Sequence, residues 1–283
     1  MYHPFVMIEL APHHKIGLSV SNPIMIASGC CGYGHAYQRL IELSVFGALV
    51  TNPITLRPRR GPNQPRLVET VGGFILNTGG QNPGVKKVIR QYQKSWSHLE
   101  MPLIAHLPAD EPGDLLRTAQ ALSNLETTQG QTLLAAIELG LPHRATFQEV
   151  ERWVRAVQEG SGLPLLVKLP LDAPLDIVEA AADAYADALV IGSPPLGAAL
   201  APASQTVLAG DLYGAALSSL ALHQVYQIKS WVDLPLIAAG GIHSLADVQA
   251  FLVAGALAVQ LDSLIFIEPK SAYEIALAFR SAQ

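Results

Sequence analysis

Charged residues are scarce in this chain, and long runs of any one kind are missing. Only 14% of its 283 residues are charged, the net charge is −5, and no basic block or lysine–aromatic patch occurs. A nucleic-acid partner, which needs a basic surface, is therefore not expected. No apolar run reaches the roughly 18 residues of a membrane span, and residues 1–15 lack the uninterrupted apolar segment of a signal peptide. We expect no membrane association.

Cysteine is rare as well. The two cysteines, Cys30 and Cys31, are neighbours and cannot build a conventional disulfide framework. A reducing, cytoplasmic location fits this usage best. No group of His, Cys, Asp and Glu residues has metal-ligand spacing, and the chain contains neither a P-loop nor a nucleophile elbow. We therefore predict no metal site.

Hydrophobic residues, in contrast, make up half of the sequence, which is enough for a large core. Two apolar runs near the end of the chain, Leu236 to Ala239 and Ala258 to Leu261, are typical of buried parallel strands. Between them, Gly240-Gly241 forms a turn, and Ser244 stands where a helix N-cap is expected. This region therefore predicts a strand, a turn, a helix and a second strand.

The same alternation repeats along the chain. Eight apolar runs are each followed by a helical pattern, which favours a parallel sheet closed into a (β/α)8 TIM barrel. A doubly wound open sheet is the alternative, but its glycine-rich turn is expected near the start of the chain. A barrel of ~250 residues is one unit, so we expect a single domain over residues 1–283. The predicted strands are 24–27, 47–51, 102–106, 133–139, 164–168, 188–191, 236–239 and 258–261. The predicted helices are 36–44, 85–96, 114–124, 146–160, 175–184, 215–231, 245–252 and 271–281.

Three segments fall outside the alternation. Residues 7–20 predict a short N-terminal hairpin. Residues 52–82 and 192–214 predict two long irregular loop excursions at the barrel mouth, and loops of that length are usually functional. Arginines in the first excursion either steer an anion toward the mouth or belong to a solvated hairpin or a dimer contact. They are Arg57, Arg59, Arg60 and Arg66.

The carboxyl ends of the strands carry the active site in barrel enzymes, and here they are polar or glycine-rich. Lys168 follows four apolar residues, and such a lysine is costly to desolvate unless it meets an anion or a polarised ligand atom. The alternative is a lysine that reaches solvent at the rim. Gly240-Gly241 either lets backbone N–H groups approach a phosphate or forms a tight turn without a ligand. The other strand ends are Ser28-Gly29, Thr51-Asn52, His106, Gly140 to His143, Gly192-Ser193 and Asp262-Ser263.

Five segments, in order along the chain, resemble the dihydroorotate dehydrogenase family. They are SNPIMIASG (21–29), ITLRPRRGPNQPRLVET (54–70), QNPG (81–84), PLLVKLP (164–170) and LPLIAAGGI (234–242), and AGALAVQ (254–260) fits too. Each segment alone is a weak signal, but the ordered set spans nearly the whole chain at about the family's spacing. The soluble class is the most similar, because no membrane-docking helical extension precedes the barrel.

The resemblance implies an FMN-dependent oxidoreductase of pyrimidine biosynthesis. Such an enzyme moves a hydride from dihydroorotate, or a related CH–CH substrate, to the flavin, and a cation at the pyrimidine edge stabilises the reduced ring. The resemblance also implies a homodimer and, in some members, a partner electron-transfer subunit with FAD and an iron–sulfur centre. The implied cofactor residues are Ala27, Ser28, Gly29, Asn52 and Lys168 at the ring, and Gly214, Gly240, Gly241 and Ser263 at the phosphate.

The chain departs from the family pattern where the substrate is expected. Asn52 stands in place of a lysine that touches both flavin and substrate in the family. Leu76 takes the position of a substrate-binding asparagine, and Asn77 comes one residue late. After the sixth strand, Gly192 replaces an asparagine, whereas Ser193 is kept. Asn77 and Ser193 are the substrate-binding candidates that follow from the resemblance.

Two further departures concern proton transfer and the phosphate. The loop after the fourth strand lacks the family's two asparagines and its Cys or Ser base. Without a gap His143 stands at the base position, and with a two-residue gap it stands at the position of the last asparagine. A histidine is suited to proton transfer near neutrality, so His143 and Lys168 are the catalytic candidates. A lone histidine is nevertheless more often a hydrogen-bonded structural residue. The Gly-Thr turn that binds phosphate in the family is Asp262-Ser263 here, which puts a carboxylate beside the expected phosphate.

Three interpretations remain open from the sequence. The first is an FMN-dependent oxidoreductase of this family acting on dihydroorotate or a related substrate. The second is a flavin-free or catalytically inactive homologue that acts as a partner subunit or binding module. The third is a barrel that binds a different phosphorylated ligand through Gly240-Gly241. Bound flavin separates the first interpretation from the other two.

Overall fold

The computed structural model describes residues 7–126, 130, 132–202 and 204–281. The strands are β1 (Ile8–Glu9), β2 (Ser19–Val20), β3 (Ile24–Ile26), β4 (Leu49–Val50), β5 (Leu67–Thr70), β6 (Gly73–Leu76), β7 (Leu103–Pro108), β8 (Ala136–Gly140), β9 (Leu165–Pro170), β10 (Ala188–Ser193), β11 (Leu196–Ala201), β12 (Thr206–Tyr213), β13 (Leu236–Ala239) and β14 (Ala258–Leu261). The α-helices are α1 (Val85–Trp96), α2 (Pro112–Ser123), α3 (Phe147–Gly160), α4 (Leu175–Asp183), α5 (Ser218–Lys229), α6 (Leu245–Val253), α7 (Ser263–Ile267) and α8 (Pro269–Ser281).

Eight of these strands close into a barrel in the order β3-β4-β7-β8-β9-β10-β13-β14, with β14 paired to β3. All eight pairings are parallel. The predicted (β/α)8 TIM barrel is therefore confirmed, and so is the N-terminal hairpin, which β1 and β2 form as an antiparallel pair. Because both faces of a parallel barrel strand are covered, its residues read as apolar runs.

The barrel interior is filled by alternate residues of the strands. Met25, Ile104, Leu166 and Val190 belong to one fully buried cluster inside the barrel. Leu18, from the N-terminal hairpin, packs into the same cluster, together with residues at the amino-terminal ends of the strands. The hairpin therefore closes the amino-terminal end of the barrel, and the carboxyl-terminal end is left for a ligand.

The helix predicted for residues 36–44 was wrong. The structure has turns there, followed by a 3₁₀-helix at Leu43–Val45. Gly32, Gly34 and Tyr37 adopt positive φ angles of 61°, 92° and 64°. A left-handed backbone cannot continue an α-helix, so the connection from β3 to β4 is made without one.

The two excursions at the mouth are present, and each contributes two strands, although residues 52–66 and 77–82 lie outside the strands. Together they form a four-stranded antiparallel sheet in the order β11-β12-β6-β5. Leu76 pairs with Asp211, and Phe74 pairs with Tyr213. Segments more than 100 residues apart in sequence are thereby joined into one cover beside the mouth. Among the described residues, no helix is both long and apolar enough to cross a membrane.

We expect Asn22→Ala to lower the free energy of unfolding by about 3 kcal/mol. The Asn22 side chain is buried, donates to the carbonyls of Val45 and Ala276 at 2.8 Å each, and accepts from the amide of Ile24 at 3.0 Å. Its removal leaves three buried backbone groups without these partners. Urea unfolding at equilibrium measures the change. Asn124→Ala, at an exposed position, is the control, and equal losses in the two variants would contradict the prediction.

Candidate active site

Polar side chains replace the apolar interior at the carboxyl-terminal end of the barrel. His106, Glu138, Lys168 and Gln260 each follow, by two residues, an apolar residue that packs inside the barrel. Because side chains alternate across a strand with a period of two, all four point inward. They come from β7, β8, β9 and β14, and together they form a polar layer at the end of the core.

These four side chains form one hydrogen-bonded network. The Lys168 ammonium donates to Oε1 of Gln260 at 2.8 Å, and Nε2 of Gln260 donates to Oε2 of Glu138 at 2.6 Å. The other carboxylate oxygen of Glu138 lies 2.8 Å from Nδ1 of His106. Glu138 and Gln260 are completely buried, and Lys168 is 6% exposed. The network therefore fixes the position of a nearly buried lysine.

The charge of Glu138 is maintained by its partners. Burial by itself would raise the pKa of this carboxyl group, but the Lys168 ammonium and the hydrogen bonds from His106 and Gln260 lower the pKa from 4.5 to about 2. Glu138 is thus ionised at neutral pH and balances the charge of Lys168. A buried pair of this kind needs its hydrogen bonds to offset the lost hydration of both ions.

A cavity of about 1010 Å³ opens at this end of the barrel. His106 and Lys168 line it, whereas Glu138 and Gln260 lie behind them in the core. The cavity also brings together several residues that the sequence predicts for the site. They are Ser28, Gly29, Asn52, His143 and Ser193.

The side-chain oxygen of Asn52 is a buried polar atom to which a ligand could donate a hydrogen bond. Its Oδ1 is buried and has no hydrogen-bond partner within the described part of the chain. A buried acceptor without a partner costs about 1–3 kcal/mol. Because Asn52 lines the cavity, a ligand N–H group is the partner that would satisfy it.

His143 lies between two carboxylates at the edge of the cavity. Its Nδ1 is 3.2 Å from Oδ1 of Asp172, whose side chain is 67% exposed. Asp211, from β12, also lines the cavity. Burial raises the pKa of Asp211, and the nearby His143 opposes that shift. With Nδ1 directed to Asp172, the Nε2 atom of His143 is the one available to a ligand.

Other predicted residues lie elsewhere. Asn77 is outside the lining of the cavity, because its side chain donates to the carbonyl of Ala209 and accepts from the amide of Gly79. Leu76 lines the cavity instead. Ala27 is buried, and its amide donates to the carbonyl of Leu261, so it contributes to the barrel wall.

Two of the three glycines of the expected phosphate region, Gly241 and Gly214, are tightly packed, whereas a Cβ on Gly240 would lie 3.6 Å from Cβ of Ala221, an ordinary contact distance. Gly240 and Gly241 have φ angles of 101° and 71°, which favour glycine. A Cβ on Gly241 would lie 2.3 Å from the amide nitrogen of Ser218, and one on Gly214 would lie 2.2 Å from the carbonyl oxygen of Gly72. None of these three glycines lines the cavity. Close packing already explains why glycine is required at Gly241 and Gly214.

In the loop after β14, Asp262 and Ser263 are hydrogen-bonded to each other. The carboxylate of Asp262 accepts from the amide of Ser263 and, at 3.0 Å, from its hydroxyl. The Ser263 hydroxyl also lies 2.8 Å from Nε2 of His243. Asp262 is 5% exposed, and Ser263 is completely buried. Neither residue lines the cavity.

An aromatic cluster stands between the cavity and this loop. Tyr213 stacks on Phe74 with ring centroids 5.1 Å apart and meets Phe266 edge-on at 6.3 Å. Tyr213 immediately precedes Gly214, and Phe266 follows Ser263 within α7. Both rings line the cavity, so its wall on this side is aromatic.

Sequence reasoning missed the supporting half of the network. Glu138 and Gln260 were not among the predicted site residues, and His106 was noted only as one of the polar strand ends. The period-two alternation within each barrel strand is the signal that would have found them, because each follows a buried apolar residue by two positions. No local signal indicated Tyr213 or Asp211, which reach the cavity through long-range pairing of β12.

The fold and the cavity define a (β/α)8 barrel enzyme with its site at the carboxyl ends of the strands. The sequence pattern of the family described as dihydroorotate dehydrogenase matches residues 12–281. The chain belongs to the dihydroorotate dehydrogenase family. The predicted family is thus confirmed, and with it a dihydroorotate-dehydrogenase-like oxidoreductase. The alternative of an inactive partner subunit or binding module is not favoured.

Several relatives carry the name dihydroorotate dehydrogenase B (NAD(+)), catalytic subunit. The protein from Bacillus mycoides (strain KBAB4) is 33% identical over 263 residues, which cover 89% of this chain and 85% of the relative. The protein from Geobacillus kaustophilus (strain HTA426) is 33% identical over 264 residues, covering 89% and 84%. The protein from Bacillus cereus (strain AH187) is 32% identical over 263 residues, covering 89% and 85%.

Replacing Glu138 by glutamine removes its charge and nearly keeps its size. Lys168 is then buried without a countercharge, so we expect the free energy of unfolding at pH 7 to fall by about 3 kcal/mol. The pKa of Glu138 is lower in the folded protein than its ordinary value of 4.5. Its stabilising contribution is therefore complete above about pH 4.5 and is lost as the pH falls toward 2. Urea unfolding at pH 7 and pH 3 measures both effects.

The matched control is Glu69→Gln, which changes an exposed glutamate on β5 and should alter stability by less than about 0.5 kcal/mol. The difference in free energy of unfolding between wild type and Glu138→Gln should be smaller at pH 3 than at pH 7. The difference between wild type and Glu69→Gln should be the same at both pH values. If Glu138→Gln lowers the free energy of unfolding by the same amount at both pH values, the loss is not due to the Glu138 charge.

Proposed function

We propose that this chain is a flavin-dependent oxidoreductase that takes a hydride from a CH–CH bond of dihydroorotate or a related compound, in pyrimidine biosynthesis. Residues 1–283 would act as one barrel domain. The observation that carries the proposal is Lys168, a nearly buried cation held toward the cavity by Gln260 and Glu138. Membership of the dihydroorotate dehydrogenase family supports it.

Two features of the cavity fit the ring of a flavin such as FMN. Asn52 offers a buried acceptor that has no partner among the described residues, which suits the imide N–H of an isoalloxazine. Lys168 offers a positive charge, which favours negative charge on the pyrimidine side of the ring. Ser28 and Gly29 line the same cavity. A flavin, when bound, supplies the hydride acceptor, and the cavity of about 1010 Å³ is at the upper end of the range for ligand sites.

His143 is the residue we assign to proton transfer. Asp172 holds its Nδ1, which leaves Nε2 for a ligand in the cavity. An imidazole so placed can remove a proton from the carbon next to the hydride-donating carbon of the substrate. His143 thus takes the role that a Cys or Ser has in the family pattern.

The substrate is expected to be anionic, because the rim of the cavity is rich in positive charge. Arg60 and Lys87 line it, and neither forms an ion pair within the described ranges. Arg59 is paired with Asp110 at 2.9 Å. Free cations at the rim attract a carboxylate toward the mouth. Ser193 lies in the lining and can hydrogen-bond the substrate.

Partners of this chain follow from its relatives. Because they are named as catalytic subunits, with NAD(+) in the name, we propose that electrons leave this barrel through a second, electron-transfer subunit, which would hold any iron–sulfur centre. A homodimer of the barrel is part of the same proposal. A cytoplasmic location is supported by Cys30 and Cys31, which are both free thiols.

Flavin binding is the first test. The protein is purified without added cofactor, incubated separately with FMN and with riboflavin, and desalted. We expect a visible flavin spectrum to be retained with at least one of them, and to bleach when dihydroorotate is added without oxygen. If neither flavin is retained, the oxidoreductase proposal fails. A retained flavin that dihydroorotate does not reduce would contradict dihydroorotate as the substrate.

We expect His143→Ala to slow reduction of the bound flavin by about 10²–10⁴-fold, because the proton acceptor is lost. The flavin spectrum should be unchanged, since His143 does not support the ring. Stopped-flow absorbance measures the reduction rate. His223→Ala, at an exposed position on α5, should reduce at the wild-type rate. Equal rates for the two variants would rule out His143 as the proton acceptor.

A further inference from the structure

The end of the site where a flavin phosphate is expected differs from the end that fits the ring. In (β/α)8 barrels a phosphate commonly binds at the loops after the seventh and eighth strands and at a short extra helix. Here those strands are β13 and β14. Their loops contain Gly240-Gly241 and Asp262-Ser263, and the short helix is α7.

Two hydrogen-bond donors of this region, the amide and the hydroxyl of Ser263, are already used. A phosphate site needs free backbone N–H groups and no competing negative charge. The amide and the hydroxyl of Ser263 both donate to the Asp262 carboxylate. The hydroxyl also contacts Nε2 of His243. A carboxylate of the chain therefore takes the contacts that Ser263 would offer to a phosphate.

The space beside two of the glycines, Gly241 and Gly214, is limited as well. Gly241 packs against the amide of Ser218, and Gly214 packs against the carbonyl of Gly72, each so closely that one added carbon would overlap. The cavity lining includes Tyr213 and Phe266, but it includes neither these glycines nor Ser263. The residues present therefore fit a flavin ring but do not fit its phosphate.

We propose that the Asp262 carboxylate stands in for the phosphate, so that this chain binds riboflavin, the flavin without phosphate, in preference to FMN. The proposal rests on the flavin-dependent function inferred above. A phosphate dianion brought near Asp262 would be repelled and would lack the amide of Ser263. Riboflavin has no phosphate, so it is not repelled by Asp262 and does not need the Ser263 amide. Its ring would make the same contacts with Asn52 and Lys168 as the ring of FMN.

The test compares the affinities of the two flavins for the flavin-free protein. Quenching of flavin fluorescence, titrated at equilibrium, gives both dissociation constants. We expect riboflavin to bind wild type at least tenfold more tightly than FMN. In Asp262→Gly, which frees the Ser263 amide and removes the charge, FMN should bind at least tenfold more tightly than it does to wild type. Riboflavin affinity should change less than about twofold.

Asp262→Asn separates the effect of the Asp262 charge on FMN affinity from the effect of the side chain's size, because it removes the charge and nearly keeps the size. We expect FMN to gain affinity in this variant, but less than in Asp262→Gly. Asp233→Asn, an exposed aspartate ahead of β13, is the matched control and should leave both affinities at wild-type values. Circular dichroism verifies that each variant is folded, and the wild-type comparison stands even if Asp262→Gly does not fold.

Two failures can be told apart. If wild type prefers FMN, or if removing the Asp262 carboxylate leaves the ratio of the two affinities unchanged, the phosphate inference is overturned and the flavin-dependent function stands. If neither flavin binds to wild type or to any folded variant, both proposals are overturned.

Discussion

The contact between Lys168 and Glu138, made through Gln260, is the interaction on which the open end of the barrel depends. A lysine and a glutamate inside a barrel each lose hydration worth several kcal/mol, which their attraction and their hydrogen bonds must offset. The network achieves this with side chains from strands on different sides of the barrel, including His106 on β7. The hydrogen bonds that stabilise this end of the core therefore also hold Lys168 and His106 in place at the bottom of the cavity, which we call its floor.

The cover beside the mouth is built differently from that floor. The floor consists of inward-facing residues on rigid barrel strands, whereas the cover is a four-stranded sheet made from two excursions far apart in sequence. Leu76, Asp211 and Tyr213 reach the cavity from this sheet. A barrel enzyme can change its ligand through such loops without disturbing its core. Lys168 in the floor is kept, whereas Leu76 in the cover departs from the family pattern.

Local patterns in the sequence predict the barrel well and its mouth less well. Buried parallel strands are continuous apolar runs, so all eight could be located from composition and spacing. The false helix at 36–44 had suitable spacing, but Tyr37 takes a left-handed conformation that hydrophobic periodicity does not reveal. The pairing of β6 with β12 joins distant segments and has no local signature. Lys168 and Asn52 could be predicted from their places at strand ends, whereas Glu138 required reading the alternation inside the strand.

The altered residues at the mouth fit one another, which argues that the site is used. Gly140 stands where the family has an asparagine, and a Cβ there would lie 2.7 Å from the ring of His106. The small residue thus makes room for the imidazole that Glu138 holds. In an unused site, a buried ion pair such as Lys168 with Glu138 would be less stable than well-packed apolar residues of the same volume. A nearly buried cation lines the same cavity as an Asn52 oxygen that has no partner in the described part of the chain, and a ligand bound there accounts for both. A remodelled flavin site therefore accounts for these residues better than a barrel that has lost its function.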